Sequence, residues 1–223
     1  MIVQITLMTI GAYFLGAIPT SYIASRLLKG IDIRSYGSGV SSGSNVWHSV
    51  SRWAGVTVVT FDILKGLVPV TISYYVLGFD IWAAGIVGLA AIAGHSWSIF
   101  LRFHGGRGVA TMMGSLMTLV PLVVLVFVVI MLLGFIIFKN SPISMLFGVA
   151  ATPLASLGLG NSPGLTLCLF GMVLLLITKR LLAERTIPPG EWKRVMIYRL
   201  FLDRDTRNRE AWIYQAFSST EET

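Results

Sequence analysis

The sequence predicts an all-α protein, a polytopic membrane bundle of transmembrane helices. Of its 223 residues, 55% are hydrophobic and only 12% are charged, and the mean hydropathy is +0.78. Water-soluble domains carry about 25% charged residues, so this composition excludes a soluble globular fold. The apolar residues also gather in runs of the length that crosses a bilayer, about 20 residues.

The apolar runs give the candidate spans in order. Ile2–Leu28 lacks a basic leader and is too long and too poorly terminated for a cleaved signal peptide, so we expect a retained span. Trp53–Leu77 and Trp82–Leu101 are two further clear spans. Two longer stretches, Val109–Phe138 and Ile143–Thr178, are each either one long helix or two short ones.

The basic residues decide between these alternatives. They follow the first and third runs and end both long stretches, the first of them at Lys139. The positive-inside rule makes all these ends cytoplasmic, which requires turns at Pro121 and at Gly158–Gly164. The sequence therefore predicts seven transmembrane helices, with the N-terminus outside and the C-terminus cytoplasmic. The segments Gly108–Val120 and Ile143–Leu157 would be short and require local thinning or tilt. Five spans is the alternative, and it would place Lys139 outside.

The last forty residues differ in composition from the rest. They contain Pro188-Pro189-Gly190 followed by many charges, which indicates a cytoplasmic tail at residues 184–223 after a membrane domain at residues 1–183. Apolar and basic side chains mix between Trp192 and Phe201. That segment either forms an interfacial amphipathic helix or remains a solvated tail.

Two glycine-rich segments on the predicted cytoplasmic side have the composition of an anion-binding site. The first, Ser35–Asn45, combines glycines, which let backbone N–H groups turn toward an anion, with hydroxyl donors. On its own it fits a flexible polar turn equally well. The second, His104–Gly108, opens a helix, and a helix N-terminus beside an arginine is a natural phosphate cradle. Neither has Walker-type spacing, so nucleotide hydrolysis is not indicated.

A few ionisable residues lie in or near the apolar runs. Asp62 and Lys65 are three residues apart on one face of the second span. They form either an ion pair that holds the bundle or a functional pair in which Asp62 orients Lys65 toward the polar loops. His95 is either a packing residue or a catalyst, and His48 would bind phosphate only when protonated. The single cysteine, Cys168, excludes an internal disulfide. No metal-binding motif occurs in the sequence, and we predict no cofactor.

These residues resemble the acyl-phosphate-dependent glycerol-3-phosphate acyltransferases of bacteria, the PlsY family. The family's D-x-x-K-G pattern is intact here as Asp62, Lys65 and Gly66. Its first loop, G-S-G-N-x-G-A-T-N-x-x-R, is kept in part, with Ser44 in place of the threonine, as Gly37, Ser38, Gly39 and Asn45. Its G-H-x-x-P-x-F-x-x-F-x-G-G-K-G-V-A-T pattern runs from Gly94 to Thr111, with Ser98 for the proline and Arg107 for the lysine.

The resemblance implies a multi-pass enzyme of the bacterial inner membrane. An acyl phosphate would donate its chain to the 1-hydroxyl of glycerol 3-phosphate, giving lysophosphatidic acid and inorganic phosphate. The expected partners are these two substrates and membrane lipids, with no nucleic acid. The implied catalytic residues are Ser38, Lys65 and Arg107, with Asp62 and His95 as orienting residues. The implied phosphate-binding residues are Gly37, Gly39, Ser44, Asn45, His48, Gly105, Gly106 and Gly108.

The chain also departs from the family pattern. Val40, Ser42 and His48 replace an asparagine, a glycine and an arginine of the first loop. At the end of the last span, Arg180 and Ala183 replace the histidine and asparagine of an H-R-E-N pattern. The chain thus matches the family at more of the phosphate-binding positions than at the histidine and asparagine positions expected to transfer or orient a proton. A catalytically impaired paralogue that binds acyl phosphate or phospholipid is one alternative function, and a membrane transporter is another.

Overall fold

The computed structural model describes residues 1–182 and 190–208, and all regular structure in these ranges is helical. The helices are α1 (Ile2–Ala17), α2 (Thr20–Lys29), α3 (Gly43–Ser49), α4 (Arg52–Thr71), α5 (Ile81–Ser96), α6 (Val109–Leu119), α7 (Pro121–Phe138), α8 (Ser141–Gly158), α9 (Pro163–Leu181) and α10 (Trp192–Leu202). The predicted all-α class is confirmed for this part of the chain.

Six helical stretches among the described residues are long and apolar enough to cross a membrane. One of them, Ile2–Lys29, joins α1 and α2. The two helices are separate because Pro19 has no N–H to continue the hydrogen-bond ladder of α1. A second stretch, Arg52–Val76, extends α4 by a π-helical turn at Ile72–Val76. The predicted membrane bundle is therefore present.

Each of the two long apolar stretches forms two helices. α6 ends at Leu119 and α7 begins at Pro121, since proline is readily accommodated in the first turn of a helix. α8 and α9 are separated by a short turn in which Gly160 has a φ of +71°. The alternative of five unbroken spans is wrong.

The two segments expected to be short have different lengths. α6 has 11 residues and is about 16 Å long, roughly half of the hydrocarbon core. α8 has 18 residues and is one of the six membrane-length stretches, so the expectation of a short helix at Ile143–Leu157 is wrong. The helix starts earlier because Asn140 caps it, accepting a hydrogen bond from the Ile143 N–H at 3.3 Å.

α6 runs in the same direction as α4 and begins beside its middle. The hydroxyls of Thr71 and Thr118 are 2.8 Å apart near one end of this pair, and Gly66 faces Thr111 near the other. A side chain at Gly66 would collide with the Thr111 carbonyl, which shows how closely the two backbones approach. The loop before α6 therefore lies at the level of Lys65, well inside α4.

The core lies between α5, α6 and α9, and the C-terminal ends of α1, α5 and α9 meet beside the loop before α6. The Ser98 hydroxyl after α5 donates to the Ala17 carbonyl at the end of α1, and Arg107 donates to the Lys179 carbonyl of α9. The fully buried large side chains of this core include Val87, Ile92, Met112, Leu116, Leu169 and Met172.

α10 packs against the ends of α8 and α9. Arg180 donates to the Arg199 carbonyl at 3.1 Å and to the Pro142 carbonyl at 2.9 Å. Arg199 donates in turn to the Leu181 carbonyl at 3.0 Å, and Val195 is buried. The segment from Trp192 is thus helical and docked on protein. Residues 183–189 and 209–223, including Ala183 and Pro188-Pro189, lie outside the described residues.

Candidate functional site

A buried ion pair lies at the centre of the candidate site. The Lys65 ammonium donates to Asp62 Oδ1 at 2.6 Å, to the Thr20 hydroxyl at 2.9 Å and to the Ile18 carbonyl at 2.7 Å. The side chains of Lys65 and Asp62 are only 5% and 4% exposed. All three ammonium protons have an acceptor, which is what a charge buried in a membrane protein requires. The break at Pro19 makes the Ile18 carbonyl available, because this carbonyl lies beyond the end of α1.

His95 connects this ion pair to the loop before α6. Its Nδ1 lies 3.6 Å from Asp62 Oδ1, and its backbone carbonyl accepts the Gly106 N–H at 3.0 Å. A Cβ at Gly106 would lie 2.2 Å from His95 Nε2, and one at Gly105 would lie 2.1 Å from the His95 carbonyl. Only glycine permits this approach of the loop backbone to the imidazole.

The space between these groups is a small inner pocket of about 10 Å³, the size of about one water molecule. The hydroxyls of Ser21 and Ser41 are hydrogen-bonded to each other at its edge. Ser41 lies in the first glycine-rich segment and Ser21 in the first apolar run, but the sequence analysis assigned neither a role, because no motif residue marks them. The residues that line this inner pocket include Thr20, Ser21, Ser41, Lys65, His95, Ser98, Leu101, Gly105 and Gly106.

A larger outer cleft of about 630 Å³ shares Leu101 with the inner pocket. Arg34 and Asp32 form a bidentate pair on its wall, with nitrogen–oxygen distances of 3.0 and 2.6 Å. These hydrogen bonds from Arg34 lower the pKa of Asp32 below its usual 3.8, although partial burial opposes the shift. The lining residues of this outer cleft are Tyr22, Asp32, Arg34, Ser35, Phe100, Leu101, Arg102 and His104.

Arginine residues of the outer cleft were used in the sequence analysis only to orient the helices. Arg34 and Arg102 both line the cleft, yet each follows an apolar span, where a basic residue is expected for topological reasons alone. Only the folded structure separates these two arginines from other basic residues at helix ends. The 3₁₀ turns at Ile33–Ser35 and Ile99–Leu101 place both side chains at one cavity.

Asn45 organises the first glycine-rich loop. Its amide nitrogen lies 3.0, 2.9 and 3.1 Å from the carbonyls of Ile33, Tyr36 and Val40, and its Oδ1 accepts the Ser38 N–H at 3.4 Å. The side chain is only 4% exposed, so its hydrogen-bonding capacity serves the loop. Asn45, which the family pattern implies as a phosphate-binding residue, therefore uses its side-chain hydrogen bonds to hold the loop backbone in place.

The glycines around Ser38 adopt left-handed conformations that favour glycine. Gly37 has a φ of +56° and Gly39 a φ of +70°. A Cβ at Gly37 would lie 2.2 Å from Asn45 Oδ1. The loop thus has the backbone freedom that the sequence suggested, and Ser38 is half-buried within it.

Several predicted residues lie away from the ion pair. Ser44 and His48 are exposed on α3, and in the described part of the chain they line neither the inner pocket nor the outer cleft. Gly108, with a φ of +81°, turns the chain into α6. Of Ser38, Asn45, Lys65 and Arg107, only Lys65 lines the inner pocket or the outer cleft in the described part of the chain. The structure brings together Asp62, Lys65, His95, Gly105 and Gly106.

Arg107 is directed toward α9 and α10. Its Nη1 donates to the Lys179 carbonyl at 2.8 Å, and its Nη2 lies 2.9 Å from the Asp203 carboxylate. Arg180, which stands at the histidine position of the family pattern, is 3.6 Å from the same carboxylate oxygen. The guanidinium of Arg107 thus contacts the C-terminal end of α9 and the segment after α10.

Comparison with known proteins is consistent with this geometry. The sequence model of the family described as glycerol-3-phosphate acyltransferase matches residues 6–187. The chain belongs to this family. Glycerol-3-phosphate acyltransferase 5 of Dehalococcoides mccartyi is 38% identical over 229 residues, with 97% of this chain and 96% of the relative covered. Glycerol-3-phosphate acyltransferase of Clostridioides difficile is 34% identical, with 71% of this chain and 80% of the relative covered.

Solved structures of the acyltransferase family show the same fold. The crystal structure of PlsY (YgiH), an integral membrane glycerol 3-phosphate acyltransferase, in its glycerol 3-phosphate form has a TM-score of 0.74 and 28% identity. The match covers 86% of this chain and 98% of that one. The lysophosphatidic acid form also has a TM-score of 0.74, with 26% identity and coverage of 88% and 93%. The resemblance drawn from the motifs is confirmed, and acyl transfer is favoured over transport.

Proposed function

We propose that this protein transfers an acyl chain from acyl phosphate to the 1-hydroxyl of glycerol 3-phosphate in the inner membrane of a bacterium. The observation that carries the proposal is the buried Lys65–Asp62 pair, which lies against the backbone of Gly105 and Gly106 in an acyltransferase-family membrane bundle. A fixed ammonium beside side-chain-free backbone suits a phosphate group.

The reaction requires one bond to form and one to break at the acyl carbon. The 1-hydroxyl oxygen attacks the acyl carbonyl carbon, and the bond between that carbon and the phosphate oxygen breaks. The hydroxyl proton ends on the released inorganic phosphate, so the products are lysophosphatidic acid and phosphate. No covalent acyl-enzyme is needed, and catalysis consists of positioning and charge stabilisation.

The ion pair, the histidine and the two glycines at the inner pocket have distinct roles in this proposal. Lys65 stabilises the negative charge that develops on the departing phosphate. Asp62 fixes the ammonium, and His95 holds the loop through its carbonyl and imidazole. The backbone of Gly105 and Gly106 approaches the phosphate without side-chain interference.

The other residues that the family pattern implies lie outside the inner pocket, so they contact the substrate only if it extends beyond that pocket. We propose that the substrate reaches from Lys65 to the first glycine-rich loop and to the start of α6. The residues in question are Gly37, Ser38, Gly39, Ser44, Asn45, His48, Arg107 and Gly108. Asn45 contributes by shaping the loop, because its amide is already hydrogen-bonded to loop carbonyls.

We also propose seven crossings, with the N-terminus outside and the C-terminus in the cytoplasm. The short helix α6 supports this count, because it runs parallel to α4 and leads to α7 at the far end of the bundle. Residues 1–183 then form the membrane domain and residues 184–223 a cytoplasmic tail. The cluster of basic residues near the proposed cytoplasmic ends agrees with this orientation.

The test is a transfer assay with purified protein in nanodiscs, using palmitoyl phosphate and labelled glycerol 3-phosphate. We expect labelled lysophosphatidic acid and an equal amount of inorganic phosphate. Lys65→Met keeps the length of the side chain but removes its charge, and we expect a loss of kcat of about 100-fold or more. Lys139→Met, at an exposed position after α7, is the matched control and should retain wild-type activity.

Other outcomes of this assay would contradict the proposal in different ways. Binding of palmitoyl phosphate without product would indicate the impaired paralogue. Flux of glycerol 3-phosphate across sealed vesicles without a covalent product would indicate a transporter. Full activity of Lys65→Met would remove this lysine from the catalytic site.

A further inference from the structure

The carboxylate of Asp203, in the C-terminal segment, forms an ion pair with Arg107, a predicted catalytic residue. Asp203 follows α10 and has a φ of +55°, so the chain turns sharply there. Its Oδ1 lies 2.9 Å from Arg107 Nη2 and 3.6 Å from Arg180 Nε. The family match ends at residue 187, so Asp203 lies outside the part of the chain that defines the family. The Dehalococcoides mccartyi relative covers 97% of this chain and therefore extends into this segment.

The charges around Asp203 form two distinct groups. Asp205 pairs with Arg199, whose other contacts dock α10 on the end of α9. Asp203 lies between Arg107 and Arg180, two guanidinium groups that repel each other without a carboxylate between them. One negative charge between two positive charges leaves a net positive charge at Arg107, so the site still attracts an anion.

The contacts of Arg107 leave its buried Nε–H without an acceptor among the described residues. Nη1 donates to the Lys179 carbonyl, and Nη2 forms an ion pair with Asp203 Oδ1 that lacks hydrogen-bond geometry. The two contacts together hold the guanidinium in place. Nε is buried and has no hydrogen-bond partner among the described residues. A buried N–H without a partner is costly, and an incoming phosphate oxygen would satisfy it.

We propose that Asp203 is a positioning residue of the acyltransferase site, which holds Arg107 so that its free Nε–H faces substrate phosphate. This inference rests on the proposed function. It makes the segment after residue 187 a part of the site. Arg180, at the position of the family's histidine, contributes by anchoring α10 through the Arg199 carbonyl.

The test compares the affinity of wild type and variants for labelled glycerol 3-phosphate in equilibrium binding, together with KM and kcat. Asp203→Asn removes the charge but preserves the shape, and we expect Kd and KM to rise about tenfold, with a smaller change in kcat. Asp205→Asn is the matched control, because it weakens the docking of the same segment without touching Arg107. Its Kd and KM should stay within about twofold of wild type.

A double-mutant cycle separates positioning from docking. Lysine in Arg107→Lys cannot bind the Lys179 carbonyl and Asp203 in one rigid fork, so Asp203→Asn should change Kd by less than about twofold in that background. Additive effects, or an equal loss in Asp205→Asn, would overturn the proposal. A lower Kd in Asp203→Asn would overturn it too, since Asp203 would then compete with phosphate. An inactive wild type that still binds glycerol 3-phosphate would refute the proposed function alone.

Discussion

The contact between α4 and α6 at Gly66 sets the distance between Lys65 and the loop before α6. A Cβ at Gly66 would lie 2.0 Å from the Thr111 carbonyl oxygen and 2.9 Å from the Ser115 nitrogen. Ordinary contact begins at 3.4 Å, so Gly66→Ala must separate the two backbones by the difference, about 1.4 Å. The Ser115 Oγ would also lie 2.8 Å away, but the nearest atom is a backbone carbonyl oxygen, so rotating the Ser115 side chain cannot relieve the clash.

This displacement acts on the proposed active site because only Arg107 and Gly108 separate Gly106 from the start of α6. A misplacement of about 1 Å can reduce a rate about 100-fold, so we expect kcat/KM of Gly66→Ala to fall by about that factor. Overpacking also costs about 1–3 kcal/mol, which for a chain of this size corresponds to a fall in melting temperature of roughly 2–12 °C.

The assay is the palmitoyl phosphate transfer reaction, with thermal unfolding followed in the same detergent. Gly11→Ala on α1 is the matched control, since no atom lies within 4 Å of the added Cβ. We expect it to retain wild-type kcat/KM and melting temperature. If Gly66→Ala had the same rate as Gly11→Ala, the close approach of α4 and α6 would not determine the geometry of the site.

Two further predictions follow from charge and exposure. Asp62→Ala leaves the buried Lys65 ammonium without its counter-ion, so we expect a loss of about 3–5 kcal/mol, measured as a lower melting temperature. An unchanged melting temperature would mean that water replaces the carboxylate. His48→Arg restores the residue type of the family pattern on α3, and we expect kcat/KM to rise about threefold or more, because arginine keeps the positive charge that a neutral histidine lacks. An unchanged kcat/KM would show that the substrate does not reach α3.

The helix breaks could be predicted because their signals are local. Proline at position 121 and the glycines between residues 158 and 164 interrupt a helix wherever they occur, and both turns are present in the structure. The pairing of Asp62 with Lys65 is equally local, since residues three apart share a helix face. The start of α8 was missed because Ser141 and Pro142 lower the hydropathy of a first turn that Asn140 nevertheless caps.

The direction of Arg107 could not be predicted from the sequence. Its partners lie 72 residues away at the Lys179 carbonyl and further still at Asp203, and neither has a motif that marks it. Asn45 was expected to bind substrate because the family motif contains it, but its burial and its loop contacts depend on how residues 33–40 fold back over α3. Such contacts depend on tertiary packing, and sequence spacing does not encode them.

Leu101 forms the wall between the outer cleft and the inner pocket, and it is only 5% exposed. The next two residues, Arg102 and Phe103, have φ values of 53° and 67°, a left-handed conformation that costs a non-glycine residue about 1–3 kcal/mol. Leu101 is the only residue that lines both cavities in the described part of the chain, so a phosphate group that reached Lys65 from the cleft would pass this side chain and the strained backbone beside it.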